Sequence, residues 1–207
     1  MSSLILASSS PRRKDLLEFL GIPFTVMHSQ FPERDVKFED FDDPSDYVRT
    51  IAMGKALTVA SQVDDGVIVS ADTMVFCDGK EYGKPTDLND ARRILKELRG
   101  KTHTVLTAVC VMDSLTKDMV TEVVESAVSF FNVSDEEIDQ FVDTSEPLGK
   151  AGAYAIQGGA KKFVRSVRGS VSNVVGLPLI ETAALLEQMG VVIAVNVREV
   201  EERHFTM

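Results

Sequence analysis

Three serines, a proline and two arginines fall within residues 8–13, in the stretch "ASSSPRRKDLLEFLG". Hydroxyls, a capped helix start and paired guanidiniums are three separate devices for binding phosphate. Backbone N–H groups at a helix N-terminus, with the positive end of its dipole behind them, add a fourth. Arg12 and Arg13 stand where that dipole repels a cation, so they require an anionic partner. Acids nearby in the chain, such as Asp15 and Glu18, are the plain alternative to a phosphate. Asp72 ends the apolar run "VIVSAD". A carboxylate beyond a buried strand faces a cleft in α/β sheets, where it can ligate a metal or take a proton from water. A helix-cap or turn aspartate is the other reading of it.

Lys55 lies in the middle of an apolar stripe. Val48, Ala52 and Val59 fall within about 60° of it on a 3.6-residue wheel. Its head either snorkels to water or turns inward to a phosphate or carboxylate. Lys84 in "YGKPTD" and Glu33 in "FPERD" carry no signal alone, and "GKAGAYAIQGG" puts Lys150 and Gln157 on a glycine-rich loop able to close over a ligand. His28, His103 and His204 have no metal-ligand spacing. No serine, histidine and aspartate arrangement suggests a serine hydrolase.

These groups need elements to hold them. "LILA" reads as a short buried strand. Ser10 then sits at an N-cap, Pro11 at the first helical position, and Leu16, Leu17 and Leu20 repeat at helical spacing until Gly21. "IPFTVMHS" is a second strand. Asp43 and Pro44 open a helix reaching about Gln62, with Asp46 completing a capping pattern. A hairpin turns at Asp78-Gly79. Residues 87–100 form a helix stopped by Gly100, and two long strands meet through "SLTK". Ser134 and Glu137 mark a capping box. "GLPLIETAALLEQMG" is an apolar helix, followed by a strand "VVIAV" and a polar tail. The order implies one α/β domain over residues 1–207 with a mixed, twisted sheet, split into two lobes around a cleft.

Bulk properties narrow the partners. The chain has 207 residues and a formal charge of −10, which argues against a broad nucleic-acid or membrane-binding face. A phosphate ligand must be met locally. Cys77 and Cys110 lie inside apolar runs, as buried thiols of a reducing compartment do. A soluble cytoplasmic protein is the expectation.

Several of these segments together resemble the Maf family of nucleotide pyrophosphatases. "LASSSPRR", "KA" in the second helix, "ADTMV", "GKP", "LRGKTHTVLTAV", "EPLGKAGAYAIQG" and "VVGLPL" follow in order over about residues 4–190. The resemblance implies an elongated α/β fold with a cleft between two lobes, similar to inosine triphosphate pyrophosphatases. It implies metal-dependent hydrolysis of a nucleoside triphosphate to the monophosphate and pyrophosphate, with Mg²⁺ or Mn²⁺ as the cation and a homodimer as a common assembly. Carried over by position, Asp72 is the proton acceptor, Ser8, Arg13, Lys55 and Lys84 bind the triphosphate, and Glu33 joins Asp72 at the metal. Arg12, Thr73 and Gln157 match the subgroup acting on dTTP and UTP. A glutamine amide suits that choice, since it accepts from N3–H and donates to O4 of uracil or thymine. Met74, Gly149 and Pro32 depart from the usual Val, Asp and Asp. A broader house-cleaning pyrophosphatase and a nucleotide-sensing regulator of cell division are the alternatives.

Overall fold

The computed structural model describes residues 3–206. Strand β1 (Ser3–Leu6) is followed by helix α1 (Pro11–Glu18) and strand β2 (Phe24–Val26). Two 3₁₀ turns, Glu33–Asp35 and Phe38–Asp40, lead to the long helix α2 (Pro44–Ala60). Strands β3 (Gly66–Cys77) and β4 (Lys80–Tyr82), helix α3 (Leu88–Leu98), and strands β5 (Thr102–Asp113) and β6 (Met119–Phe130) come next. Helix α4 (Asp135–Val142), strand β7 (Val164–Arg168) and helices α5 (Val171–Val175), α6 (Leu179–Gln188) and α7 (Val197–His204) complete the chain.

The strands form one seven-stranded sheet in the order β2-β1-β3-β5-β6-β7, with β4 also paired to β3. β2, β1 and β3 run parallel, and every other pairing is antiparallel. The mixed α/β sheet expected from the sequence is therefore present. Its register explains why there is a site at all. β5 covers one edge of β3 from Val67 to Phe76. On the opposite edge β1 pairs only as far as Val69, and β4 starts only at Val75. Between them residues 70–74 have no strand neighbour, and the sheet is notched there.

Each face of the sheet carries its own apolar core. Val67, Val69, Ala71 and Val75 point into the larger one with α1, α3 and α6, while Ile68 and Phe76 point to α2. The two-residue period of a strand thus sends the side chains of Asp72 and Thr73 to opposite faces. Local signals set the ends of the elements. Asp78 and Gly79 take φ of 52° and 75°, as a tight two-residue hairpin requires. Ser134 and Glu137 close a reciprocal capping box on α4.

Four expectations need correcting. Val191–Val195 pairs with no strand: Val191 and Ile193 pack on the core while Val192 is 82% exposed, a period-2 pattern without a backbone partner. The polar tail is helix α7, capped by Asn196. Asp43 caps α2 through the Ser45 N–H, and Asp46 instead pairs with Arg49. Asp72 does not end its strand, because β3 continues five residues past it.

Candidate active site

The notch in β3 opens into a cleft of about 230 Å³. All nine residues singled out in the sequence line it: Ser8, Arg12, Arg13, Glu33, Lys55, Asp72, Thr73, Lys84 and Gln157. They come from six separate stretches of chain. β1 brings the serine turn to the notch and then peels away, so both faces of β3 at Asp72 and Thr73 reach the same space. Four cations and two carboxylates among the nine leave a local positive excess in a chain of charge −10. Such a reversal favours an anionic ligand.

On the α2 face, Lys55 has turned inward. Its Nζ donates to Asp72 Oδ1 at 2.8 Å and lies 3.1 Å from Glu33 Oε2. The Lys55 and Asp72 side chains are 7% and 9% exposed, whereas that of Glu33 is 41% exposed. One ammonium thus bridges a buried and a half-open carboxylate. Ser70, two residues before Asp72, donates to the Ala52 carbonyl of α2 at 2.6 Å and fixes the strand against the helix. Asp72 Oδ2 is buried and has no protein partner. An acceptor left open at the rim of a cleft is available to a ligand or a water.

On the opposite face, Arg13 is held by the protein itself. Its Nε donates to the Gly176 carbonyl at 2.8 Å and its Nη2 to Thr73 Oγ1 at 3.0 Å. The remaining N–H groups of the fork stay free to meet a ligand. The nearby acids are not the partner of Arg13, whose acceptors are a neutral carbonyl and a neutral hydroxyl distant in sequence, while Glu18 pairs with Lys14. Burial lowers the pKa of Arg13; Asp72 and Glu33 oppose that shift, and neighbouring Arg12 adds to it. Burial likewise lowers Arg12, and it lowers Lys150 with help from Arg12. Arg12 and Arg13 line the cleft as desolvated cations, and Lys150 is near enough for the charge of Arg12 to act on it. Arg12 has no hydrogen-bond acceptor or ion pair among the described residues.

The serine turn differs from its expected form. Ser10 makes no side-chain cap on α1; instead its N–H donates to the buried Ser8 Oγ at 3.1 Å. The first turn of α1 therefore remains uncapped toward the cleft. Lys84 and Gln157 sit exposed on the far walls. Glu146 accepts from the Gly159 N–H through both its oxygens and so ties down the loop that carries Gln157. Lys150, weighed with Gln157, donates to the Glu146 carbonyl.

Two partners had no signal in the sequence. Thr107 on β5 is 2.9 Å from Thr73 Oγ1, and Gly176 supplies the carbonyl for Arg13. Thr107 lay within the motif "LRGKTHTVLTAV", and only the β3–β5 register sets it opposite Thr73. Gly176 lay within the motif "VVGLPL", where no chemistry marks it.

The donors at the cleft decide how the cation implied by the resemblance could be held. Among the described residues no group of three or more His, Cys, Asp or Glu side chains converges. Glu33 and Asp72, with the open Oδ2, are the two carboxylates at hand. Mg²⁺ is commonly held by one or two carboxylates, with phosphate and water oxygens completing its shell. The residues present fit that mode and not an all-protein cage.

A mixed sheet notched over a cationic cleft, with one buried carboxylate left open, is built for a phosphorylated ligand. Residues 3–189 match the family described as Maf-like protein, and the chain belongs to that family. A dTTP/UTP pyrophosphatase of a Geobacter species is 46% identical over 91% of this chain and 96% of its own. Another dTTP/UTP pyrophosphatase, from Anaeromyxobacter dehalogenans, is 49% identical over 90% of this chain and 94% of its own. A solved nucleoside-triphosphatase, a dITP/XTP pyrophosphatase from Mycobacterium abscessus, is a distant likeness at 13% identity. It covers 91% of this chain and 96% of its own, with a TM-score of 0.41.

Proposed function

We propose that this protein hydrolyses dTTP and UTP to the monophosphate and pyrophosphate. The observation that carries the reading is the convergence of Asp72, Lys55, Glu33, Arg13 and Ser8 on one cationic cleft. The names of relatives at 46% and 49% identity support the substrate pair.

In this reading the triphosphate enters along the arginine wall. Arg13, fixed by Gly176 and Thr73, presents its free N–H groups to the phosphates, with Lys84 opposite and the uncapped turn of α1 and Ser8 beneath. Asp72 accepts a proton from water at Oδ2, the oxygen without a protein partner. The water oxygen bonds to the α-phosphorus, the bond from that phosphorus to the bridging oxygen breaks, and pyrophosphate leaves. Lys55 holds Asp72 in one orientation through the 2.8 Å hydrogen bond. Glu33 and Asp72 would hold a divalent cation, Mg²⁺ or Mn²⁺, together with phosphate oxygens. When bound, that cation supplies positive charge against the phosphates. Gln157, Thr73 and Arg12 set which nucleotide is taken; a glutamine amide matches the N3–H and O4 edge of a pyrimidine.

The reading further takes residues 1–207 as one domain of two lobes around the cleft, acting in the cytoplasm as a homodimer on nucleotides rather than nucleic acid or membrane. The single continuous sheet supports one domain, and the two buried free thiols, Cys77 and Cys110, suit a reducing compartment. No helix among the described residues is long and apolar enough to cross a membrane.

A panel of nucleoside triphosphates assayed for pyrophosphate release, with and without Mg²⁺ or Mn²⁺, tests the proposal. Release from dTTP and UTP, lost in Asp72→Asn, is expected. Release from purine or modified nucleotides alone would replace the substrate assignment. No release from any triphosphate would end the enzymatic reading.

A further inference from the structure

The region matching the family ends at residue 189, yet helix α7 beyond it is joined to the site by a continuous set of hydrogen bonds. Glu201, in the middle of α7, accepts at Oε1 from Ser170 Oγ at 2.9 Å and from the Ser172 N–H at 3.2 Å. It therefore caps α5 from outside. Ser170 Oγ accepts in turn from the Asn173 N–H, and Ser172 Oγ accepts from the Leu179 N–H where α6 begins.

The other end of α5 carries the acceptors that hold the arginine wall. The Gly176 N–H is bonded to the Ser172 carbonyl, and the Gly176 carbonyl receives Arg13 Nε. The Asn173 carbonyl receives Thr107 Oγ1 at 3.0 Å, Thr107 lies against Thr73, and Thr73 receives Arg13 Nη2. Counting one proton per hydroxyl gives a single direction: Arg13 donates to Thr73, Thr73 to Thr107, and Thr107 to Asn173. Each hydroxyl proton in this series has an acceptor, so the series ties Arg13 to the α5 backbone at Asn173 as well as at Gly176.

The same terminal segment also grips α1. Phe205, buried at the end of α7, meets the Phe19 ring edge-on at 5.4 Å between centroids, and the His204 ring lies 4.9 Å from Phe19. Phe19 follows directly on α1, whose first turn bears Arg12 and Arg13. Helix α7 thus touches both elements whose ends meet at the Arg13–Gly176 hydrogen bond. α5 has only five residues and cannot fix itself by its own backbone bonds.

We propose that Glu201 is a positioning residue, which through α5 sets the place of the Gly176 carbonyl and hence of Arg13 and Thr73 in the cleft. The inference rests on the triphosphate reading for its kinetic consequence and on the contacts alone for its structural one.

The test compares Glu201→Ala, which leaves the Ser172 N–H without an acceptor and the Ser170 O–H only Ser172 Oγ at 2.9 Å, with Glu201→Gln, which retains the side-chain acceptor. Two readouts are used on the full chain. The first is amide hydrogen exchange of residues 171–176 and the Arg13 Nε–H resonance in nucleotide-free protein. The second is kcat and KM for dTTP. Glu201→Ala should speed that exchange, shift the resonance and lower kcat/KM about tenfold, mainly through KM, whereas Glu201→Gln should stay within about twofold. Lowered thermal stability with unchanged exchange and kcat/KM would overturn the proposal, as would faster exchange with unchanged kinetics. If the wild-type chain cleaves no triphosphate, exchange and the Arg13 resonance alone decide the coupling. Should Glu201→Ala fail to fold, Glu201→Asp, one methylene shorter, is read by the same criteria.

Discussion

Removing the charge of Lys55 should damage the fold more than removing that of Asp72, although each breaks the same ion pair. In Lys55→Met the Asp72 carboxylate is left 9% exposed with neither oxygen paired, since Oδ2 has no protein partner already. An unpaired buried charge of this kind costs about 3–5 kcal/mol. In Asp72→Asn the ammonium keeps Glu33 at 3.1 Å, and the asparagine oxygen still accepts, so about 1–2 kcal/mol is expected. The double variant buries neither charge of the pair. It should lose no more than about 2 kcal/mol, against about 4–7 kcal/mol if the single effects simply added. Urea unfolding followed by far-ultraviolet circular dichroism measures all four proteins; tryptophan fluorescence is excluded because the chain has none. Equal losses in the two single variants, or strict additivity in the double, would show that the pair is not a buried charge couple.

Two further outcomes follow from residues around the site. His103 is buried against Tyr154, with Nε2 2.8 Å from the phenol, and burial lowers its pKa from 6.5 to about 4. The folded state then binds fewer protons than the unfolded state, so stability is complete above pH 6.5 and falls toward pH 4, by about 3 kcal/mol in all. Urea midpoints at pH 7 and pH 5 should converge in His103→Gln, and an unchanged gap would remove His103 as the cause. At Gly54 an added Cβ would lie 2.3 Å from the Phe31 ring. Alanine gains about 1 kcal/mol in helix propensity and overpacking costs about 1–3 kcal/mol, so a net loss of about 0–2 kcal/mol is expected. Phe31 must swing away, taking Glu33 from Lys55, and pyrophosphate release should drop at least tenfold. Full activity in Gly54→Ala would show that the Phe31–Glu33 segment need not be seated.

What the sequence disclosed divides by the range of the interactions. The Pro11 start of α1, the Asp78-Gly79 hairpin and the Ser134–Glu137 capping box are settled within a few residues and appear as read, whereas the side-chain cap read for Ser10 is not made. Lys55 was ambiguous because its stripe position fits a snorkelling head as well as an inward one. Only the docking of α2 on β3 decides between them. The notch at residues 70–74 depends on where two different strands stop pairing, which no local pattern encodes. Val191–Val195 has the alternation of a strand and one packed face, but strand formation needs a backbone neighbour, and that is a property of the whole sheet. Glu201 shows the same limit at the site, being a surface glutamate by composition and a cap only by virtue of how α7 packs.

The bond between Arg13 and Gly176 joins residues 163 positions apart. At a synthesis rate of about 5–20 residues per second, the arginine is made roughly 8–33 seconds before its carbonyl partner. Through that interval the cationic wall has no fixed geometry, while the serine turn and most of the sheet can already be in place. A nascent chain of this protein is therefore folded in large part before it can grip a triphosphate, and the cleft becomes complete only as the last elements arrive.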